Sequence, residues 1–271
     1  MTMEEALETT KIHSVAGKIG AHRGLIYNRP FRAPHHLTSQ VALIGGGQSP
    51  QPGEVSLANN GVLFLDEMPE FGRNVLEVLR QPLEDRHISI SRAKYSVDYP
   101  ANFTLIASMN PCPCGNYGSP VKKCRCTQQQ VTNYLNKISQ PVLDRIDIQI
   151  EVKPVEYSDL SNRTPQESSA AIAERIQRAR DMQAKRFAGT SIKSNSGITS
   201  DIIAEVCRLT PDAEDMMHRA FDKLGMSARA YDRILKVART CADLSGSADI
   251  EKSHLSEAIS YRSLDRKYWS K

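Results

Sequence analysis

The chain has 271 residues, with 35 Lys plus Arg against 31 Asp plus Glu and a formal net charge of +4 at pH 7. So small an imbalance excludes a strongly one-signed surface, and 40% hydrophobic residues exclude a predominantly disordered chain. At roughly 100 to 200 residues per domain the length fits two domains, each with enough apolar side chains for its own core. Basic and acidic residues also run level along the chain, so any contact with nucleic acid has to come from local patches rather than from a basic tail.

No segment approaches the roughly 18 consecutive apolar residues that a membrane span needs, and the densest run, Val62–Leu65, is far shorter. Residues 1–15 lack the basic and apolar blocks of a secretory leader, so a soluble, cytoplasmic protein is expected. In that compartment the six cysteines read as thiols or metal ligands rather than disulfides.

Up to about residue 155 the chain mixes short apolar runs with Gly and Pro; beyond it the pattern is almost wholly helical. The expected domains are therefore 1–155 and 156–271. Residues 61–65 and 103–107 are continuous apolar runs of buried-strand length, and the helical stretch 74–80 lies between them. Strand, helix and strand in that order predict a βαβ unit and a parallel sheet, with 148–152 as a third strand. Residues 88–92 and 95–99 alternate around a short basic connection and predict a hairpin. Thr164-Pro165-Gln166-Glu167 is a helix-start signal, for a helix to about Phe187 that carries Ile172, Ile176, Ala179 and Phe187 on one face and is stopped by Gly189. Thr210-Pro211 and Ser227 open two more helices, the second running to about Leu244. A last helix covers 254–261, completing a small bundle in which Cys207 and Cys241 are core residues.

The strand 61–65 closes on Asp66-Glu67. Open parallel sheets bind ligands at the carboxyl ends of their strands, where Asp66 can hold the Mg²⁺ shell of a nucleotide and Glu67 can orient and polarise a water. The plainer reading is a strand leaving the core into an acidic turn. At the end of the next strand, Asn110 sets a neutral amide within reach of a γ-phosphate or of that water, although an Asn before Pro also forms turns. Arg145 and Arg229 follow, each of which alone reads as a surface ion pair. Cys112, Cys114, Cys124 and Cys126 form two knuckles separated by nine residues. Four thiolates suit zinc, but Cys-x-Cys is tighter than the usual knuckle, so a metal site and free thiols in a loop both stay open. The adjacent His35 and His36, in an extended segment, are expected to point to opposite sides and to ligate nothing.

Asp66-Glu67, Asn110, Arg145 and Arg229 in this order resemble the AAA+ ATPases. Arg-Pro-Phe-Arg-Ala-Pro-His-His at 29–36, Pro-Gly-Glu-Val-Ser-Leu-Ala at 52–58 and Asn-Pro-Cys-Pro-Cys-Gly at 110–115 narrow the match. Over nearly its whole length the chain resembles the magnesium-chelatase-like proteins, in their competence-associated bacterial branch. The resemblance implies an α/β fold, an AAA+ P-loop-type parallel sheet core followed by an all-α helical lid. It implies Asp66 and Glu67 as the Walker B pair, with Asp66 on the Mg of Mg-ATP, and Asn110 as sensor 1. Arg145 matches the arginine finger, which serves the neighbouring subunit's nucleotide, and Arg229 matches sensor 2 in the lid. ATP and Mg are the implied cofactors, a hexameric homo-oligomer the implied assembly, and a DNA branch-migration helicase the implied activity. Two insertions of this branch correspond to 43–47, with Gly45 and Gly46, and to the 88–99 hairpin, with Arg92 and Lys94; both are expected to touch the DNA backbone unless they are merely a flexible loop and a solvated tip.

One departure is large. A phosphate-binding loop needs Gly-x4-Gly-Lys-Ser/Thr, and the single Gly-Lys pair, Gly17-Lys18, is followed by Ile19. The chain is therefore expected to be the C-terminal portion of a longer protein, without the Walker A segment and first strand, and inactive towards ATP by itself. The alternatives are a metal-chelatase ATPase subunit and a non-catalytic, zinc-stabilised DNA-binding or oligomerisation module.

Overall fold

The structure, a computed structural model, describes residues 1–20, 24–92, 95–152 and 166–262. Two units divide at Met1–Ile146 and Asp147–Lys271, while the domain boundary expected near 155 lies outside the described residues. Among those residues no helix is long and apolar enough to cross a membrane.

In the first unit α1 (Met3–Val15) starts from a reciprocal Thr2–Glu5 capping box. There follow β1 (Phe31–Arg32), α2 (Gln40–Ile44), β2 (Gly45–Gly46), β3 (Gln51–Pro52), α3 (Glu54–Leu57) and β4 (Val62–Leu65). Next come α4 (Arg73–Glu77), α5 (Arg80–Asp85), β5 (His87–Arg92), β6 (Tyr95–Pro100), β7 (Thr104–Ala107), α6 (Gln128–Leu135) and α7 (Gln140–Leu143). The main sheet has the order β1-β4-β7, with both pairings parallel. Residues 61–65 and 103–107 thus form the adjacent parallel strands their apolar runs predict. The helical stretch between them is broken at Val78-Leu79 because Pro82 has no N–H to bond back to Val78.

Leu63 and Leu65 are fully buried, and beside them in sequence Val55, Leu57, Leu76 and Leu79 are buried as well. Gly61 is required where it stands: a β-carbon there would lie 2.0 Å from the Pro30 carbonyl oxygen, which accepts the Val62 N–H at 2.8 Å. Around the start of β4, Asn59 and Asn60 both donate to the Glu8 carboxylate at 2.8 Å, and Asn59 Oδ1 accepts the Asn102 N–H at 2.8 Å. These bonds fasten α1 and the start of β7 to the same point.

The expected third strand at 148–152 is not a strand. Ile148, Ile150 and Val152 are 51%, 67% and 82% exposed, and the third place in the sheet is taken by the two-residue β1. The alternation is present at 148–152, but among the described residues no strand pairs with it, and the Gln149 N–H is bonded instead to the Tyr261 carbonyl at 2.9 Å. The β5–β6 hairpin is present, paired from Arg92↔Tyr95 to His87↔Pro100. It packs through the buried Ile88, Ile90 and Tyr99, whose Oη donates to the Pro50 carbonyl at 2.9 Å.

The second unit holds α8 (Ser169–Arg186), α9 (Ile203–Val206), α10 (Pro211–Leu224), α11 (Ala228–Ser245) and α12 (Lys252–Ser260) around a core that includes Ile198, Met217, Ile234, Ala238 and Leu255. Thr210 and Ser227 stand at the N-caps of α10 and α11, as their spacing predicts. The Thr164-Pro165 start signal falls outside the described residues, and Ser168 caps α8 instead. Ile172 and Ile176 are exposed; among the described residues the buried anchors of α8 are at its end, Ala179, Gln183 and the following Phe187. Cys207 is buried and Cys241 half-buried.

What anchors that end of α8 is a buried carboxylate. Asp243 accepts two hydrogen bonds from Arg186 at 2.9 and 2.5 Å, one from Asn195 at 2.8 Å and one from Arg239 at 3.1 Å. Arg239, only 1% exposed, also donates to the carbonyls of Ala248 and Ser247 at 2.7 and 2.6 Å. Burial pushes the Asp243 carboxyl up, but the Arg186 and Asn195 hydrogen bonds and the two guanidinium charges outweigh it and hold the group below its ordinary value. Removing one partner from such a cluster strands a buried charge, so Asp243→Ala should cost the helical unit about 3–5 kcal/mol, read by denaturant unfolding. Because the folded value is depressed, the stabilisation is complete above the unfolded value of about 3.9 and is lost as pH falls through the lower folded one. Helical ellipticity should therefore show an acid-unfolding step below about pH 4 that Asp243→Asn removes.

Candidate functional site

β4 delivers Asp66 and Glu67 to the carboxyl edge of the sheet, where both are exposed. Leu65 pairs with Ala107, so Ser108 falls beside Asp66 at the end of β7. The Ser108 hydroxyl donates a short hydrogen bond to Asp66 Oδ1 and accepts the Glu67 N–H at 3.2 Å, while its carbonyl accepts the Met68 N–H at 2.9 Å. Glu67 N–H also points to Asp66 Oδ1 at 3.1 Å. These bonds hold Glu67 in the left-handed region, φ 51° and ψ 47°, a conformation that costs a non-glycine residue about 1–3 kcal/mol. Ser108 is thus the staple of the corner that aims the second acid.

Asn110 lies exposed two residues beyond Ser108. Tyr134 on α6, a nearly buried side chain, lies near its backbone. Burial, then the Glu70 charge, push that phenol up to about 12, against the pull of the Asn110 backbone. Lys137 crosses the same ring at 5.5 Å and pairs with Glu70 at 3.2 Å. On the other side of the acids, His35 and His36 do not diverge. A turn at 36–37 brings their rings to 4.1 Å, and His36 Nδ1 comes within 3.9 Å of Glu67 Oε2. Ser108, His36 and Tyr134 are the residues that sequence reasoning passed over. A signal existed only for Ser108, which the strand register sets opposite Asp66.

Arg145 is mostly buried after α7. It pairs with Glu84 of α5 at 2.6 Å and donates to the Pro141 carbonyl at 2.7 Å. Arg229 stands exposed in the first turn of α11, in the second unit. Gly45 and Gly46 are buried in the small β2–β3 ladder, and a β-carbon on Gly45 would lie 2.3 Å from the Gln51 carbonyl oxygen. This segment is a close backbone crossing, and Gly47, Gln48 and Ser49 between its two strands are exposed. Arg92 ends β5 at the hairpin tip, and Lys94 lies outside the described residues.

The four cysteines converge. Cys112, Cys114 and Cys124 have sulfurs 3.5, 3.7 and 3.6 Å apart, and all four lie within 4.8 Å of one another. A disulfide would bring two sulfurs to about 2.05 Å, whereas a tetrahedron with metal–sulfur bonds of about 2.3 Å has edges of about 3.8 Å. The spacing is that of the tetrahedron. Backbone amides of Arg125 and Asn116 hold the Cys114 thiol down at about 5, and loss of hydration with the neighbouring thiols pushes Cys126 up to about 12.

As donors, Asp66, Glu67 and the Ser108 hydroxyl are hard oxygens of the kind that hold Mg²⁺. The phosphate end of a nucleotide site is different: no Gly-x4-Gly-Lys-Ser/Thr occurs in the 271 residues, and the packed glycines at 45–46 have no room for a phosphate. The residues fit the metal end of a Mg-nucleotide site and not its cradle.

Residues 1–160 match the family described as magnesium chelatase, subunit ChlI, and residues 166–262 match its C-terminal part. The chain is 47% identical over 268 residues to competence protein ComM of Haemophilus influenzae and 43% identical over 268 to the uncharacterized protein YifB of Escherichia coli. Both alignments cover 98% of this chain and 51% of the relative, so the chain spans about half the length of the curated relatives it matches. It is also 29% identical over 108 residues to the chloroplastic magnesium-chelatase subunit ChlI of Oryza sativa subsp. indica, covering 40% of this chain and 26% of that one. With parallel strands that deliver adjacent acids to one sheet edge, a helical second unit, and both family descriptions matched in sequence, the chain belongs to the magnesium chelatase ChlI family.

Proposed function

We propose that the chain carries the catalytic-acid part of a cytoplasmic AAA+ ATPase that, in full length, works as a hexameric ring and drives branch migration of DNA. The observation that supports this best is the shared edge at which β4 ends in Asp66-Glu67 and β7 ends in Ser108 and Asn110. In this reading Asp66 holds Mg²⁺, which when bound neutralises charge on the phosphate oxygens. Glu67, fixed by Ser108, orients the attacking water and takes its proton, and the Asn110 amide donates to that water or to the γ-phosphate. Arg229 serves the same nucleotide from the helical unit, and Arg145, released from Glu84, serves the neighbouring subunit's. Zinc on the four cysteines is structural. The basic hairpin tip, Arg92 and Lys94, and the Gly45–Gly46 segment approach the DNA backbone.

A chelatase-type ATPase subunit is the second reading, supported by the likeness to the chloroplastic subunit over 40% of the chain. The longer and closer likeness to ComM favours the DNA motor.

Without a phosphate cradle, the 271-residue chain should show no Mg-dependent ATP turnover. Joined in one polypeptide to the preceding half of a curated relative, it should turn ATP over, and Glu67→Gln should lower that rate by about 10²–10⁴-fold. Turnover that survives Glu67→Gln overturns the assignment. Binding of the joined protein to a branched DNA should weaken with salt, and Arg92→Ala with Lys94→Ala should reduce the slope of log K against log salt by about 2. A slope unchanged by the pair removes the hairpin from the DNA path.

A further inference from the structure

The formal charge excess of the whole chain lies in one stretch. Between Asp98 and Asp144 no acidic residue occurs, and the four basic ones there, Lys122, Lys123, Arg125 and Lys137, equal the net charge of +4, so the rest of the chain balances. Lys137 is engaged with Glu70 at 3.2 Å. The other three are exposed, and among the described residues none of them has a carboxylate partner. They stand within four positions on the second cysteine knuckle: Lys122 and Lys123 directly precede Cys124, and Arg125 lies between Cys124 and Cys126.

Like charges this close repel one another, and the loop holds them together. On one side the convergence of the four sulfurs fixes the knuckle. On the other, the Ser119 hydroxyl accepts the N–H groups of Val121 and Lys122 at 3.2 and 3.3 Å, and Asn116 ties the same turn back by accepting the Ser119 N–H at 3.1 Å and donating to the Cys114 carbonyl at 2.9 Å. A tethered backbone has less freedom left to lose when it meets a ligand. Four thiolates on a zinc ion carry a formal charge of about −2, which the three cations exceed, and the cations are the exposed groups while Cys112 is fully buried. Beyond the knuckle, α6 exposes Gln128, Gln129, Thr132 and Asn133 and has no acid in its first turn. Amides and hydroxyls of this kind bond phosphate and sugar oxygens, and no carboxylate stands beside them to repel an anion.

We infer that Lys122, Lys123 and Arg125 form a binding patch for the phosphate backbone of a nucleic-acid strand, separate in sequence from the hairpin tip and from the Gly45–Gly46 segment. The inference rests on the DNA reading above and adds a contact surface to it. Each cation that meets a phosphate releases condensed counterions, so the patch contributes affinity and salt dependence without reading bases. The guanidinium of Arg125 can take two oxygens of one phosphate, and the two ammonium groups act as point charges on its neighbours.

The test measures binding of the 271-residue protein, purified without chelator, to a fluorescent duplex and a fluorescent single strand of about 20 nucleotides, between about 50 and 200 mM salt. A linear fall of log K with log salt is expected. Lys122→Ser, Lys123→Ser and Arg125→Ser together should keep the helical ellipticity and reduce the slope by about 2.7 on the duplex and about 2.1 on the single strand. Lys137→Ser, which removes a cation already paired, should leave the slope unchanged. If the triple variant misfolds, Lys122→Ser with Lys123→Ser should still reduce the duplex slope by about 1.8. A slope indifferent to these variants but lowered by Arg92→Ala overturns the patch and leaves the DNA reading standing. An equal reduction by Lys137→Ser overturns it as well, because charge anywhere on the surface would then suffice. Displacement of the DNA by polyglutamate as readily as by unlabelled DNA gives the surface to an acidic polypeptide and overturns the nucleic-acid assignment. Wild-type protein that binds neither nucleic acid overturns the patch, and the DNA reading is then decided by the joined polypeptide.

Discussion

Parallel pairing of β4 with β7 is the constraint on which the rest of the first unit depends. Four residue pairs in unbroken register, from Val62↔Thr104 to Leu65↔Ala107, bring both strands to the same edge at the same height. Asp66-Glu67 and Ser108 through Asn110 then become neighbours without any contact chosen for the purpose. At the far end the same register is pinned by the Gly61 carbonyl, which accepts the Thr104 N–H at 2.9 Å, and by the Asn59–Asn102 bond. A slip by one residue would turn Leu63 and Leu65 out of the core, so the hydrophobic faces and the acidic corner select the same alignment.

The corner itself is strained, and its strain is local. Glu67 takes a left-handed backbone that is unfavourable for a residue with a side chain, and three bonds from one serine hold it there. Such a conformation swings the glutamate out of the strand direction, so that successive acids face different partners: Asp66 towards Ser108, Glu67 towards His36. In the helical unit the comparable concentration of polar bonds, around Asp243, does structural work instead: it is buried and fully partnered, at the opposite end of α11 from Arg229.

Much of this was legible in the amino-acid sequence because it rests on short-range rules. Unbroken apolar runs marked β4 and β7, alternation marked the β5–β6 hairpin, and caps marked the starts of α10 and α11. The acids and the amide were legible as strand endings, and the four cysteines as a candidate set. What escaped was decided by tertiary partners. β1 is two residues long and is held by its pairing with β4, whereas 148–152 has the pattern of a strand but, among the described residues, no strand beside it. Ile172 and Ile176 have helical spacing, but among the described residues the buried part of α8 is its far end. Tyr134 and His36 reach the site from a distant helix and from a turn, and neither position differs from an ordinary core tyrosine or loop histidine until the fold assembles. The prolines, by contrast, acted locally: Pro82 divides α4 from α5, which a helical pattern alone did not reveal.

The outer side of β7 carries one more consequence. Among the described residues nothing pairs with it, and Thr104, Ile106 and Ala107 are exposed. Natural sheets discourage unwanted recruitment at such margins with lysines, prolines or bulges, and Thr-Leu-Ile-Ala contains no gatekeeper of that kind. The four residues that carry the amide to its place are therefore also, among the described residues, an edge open to templated growth by a foreign strand.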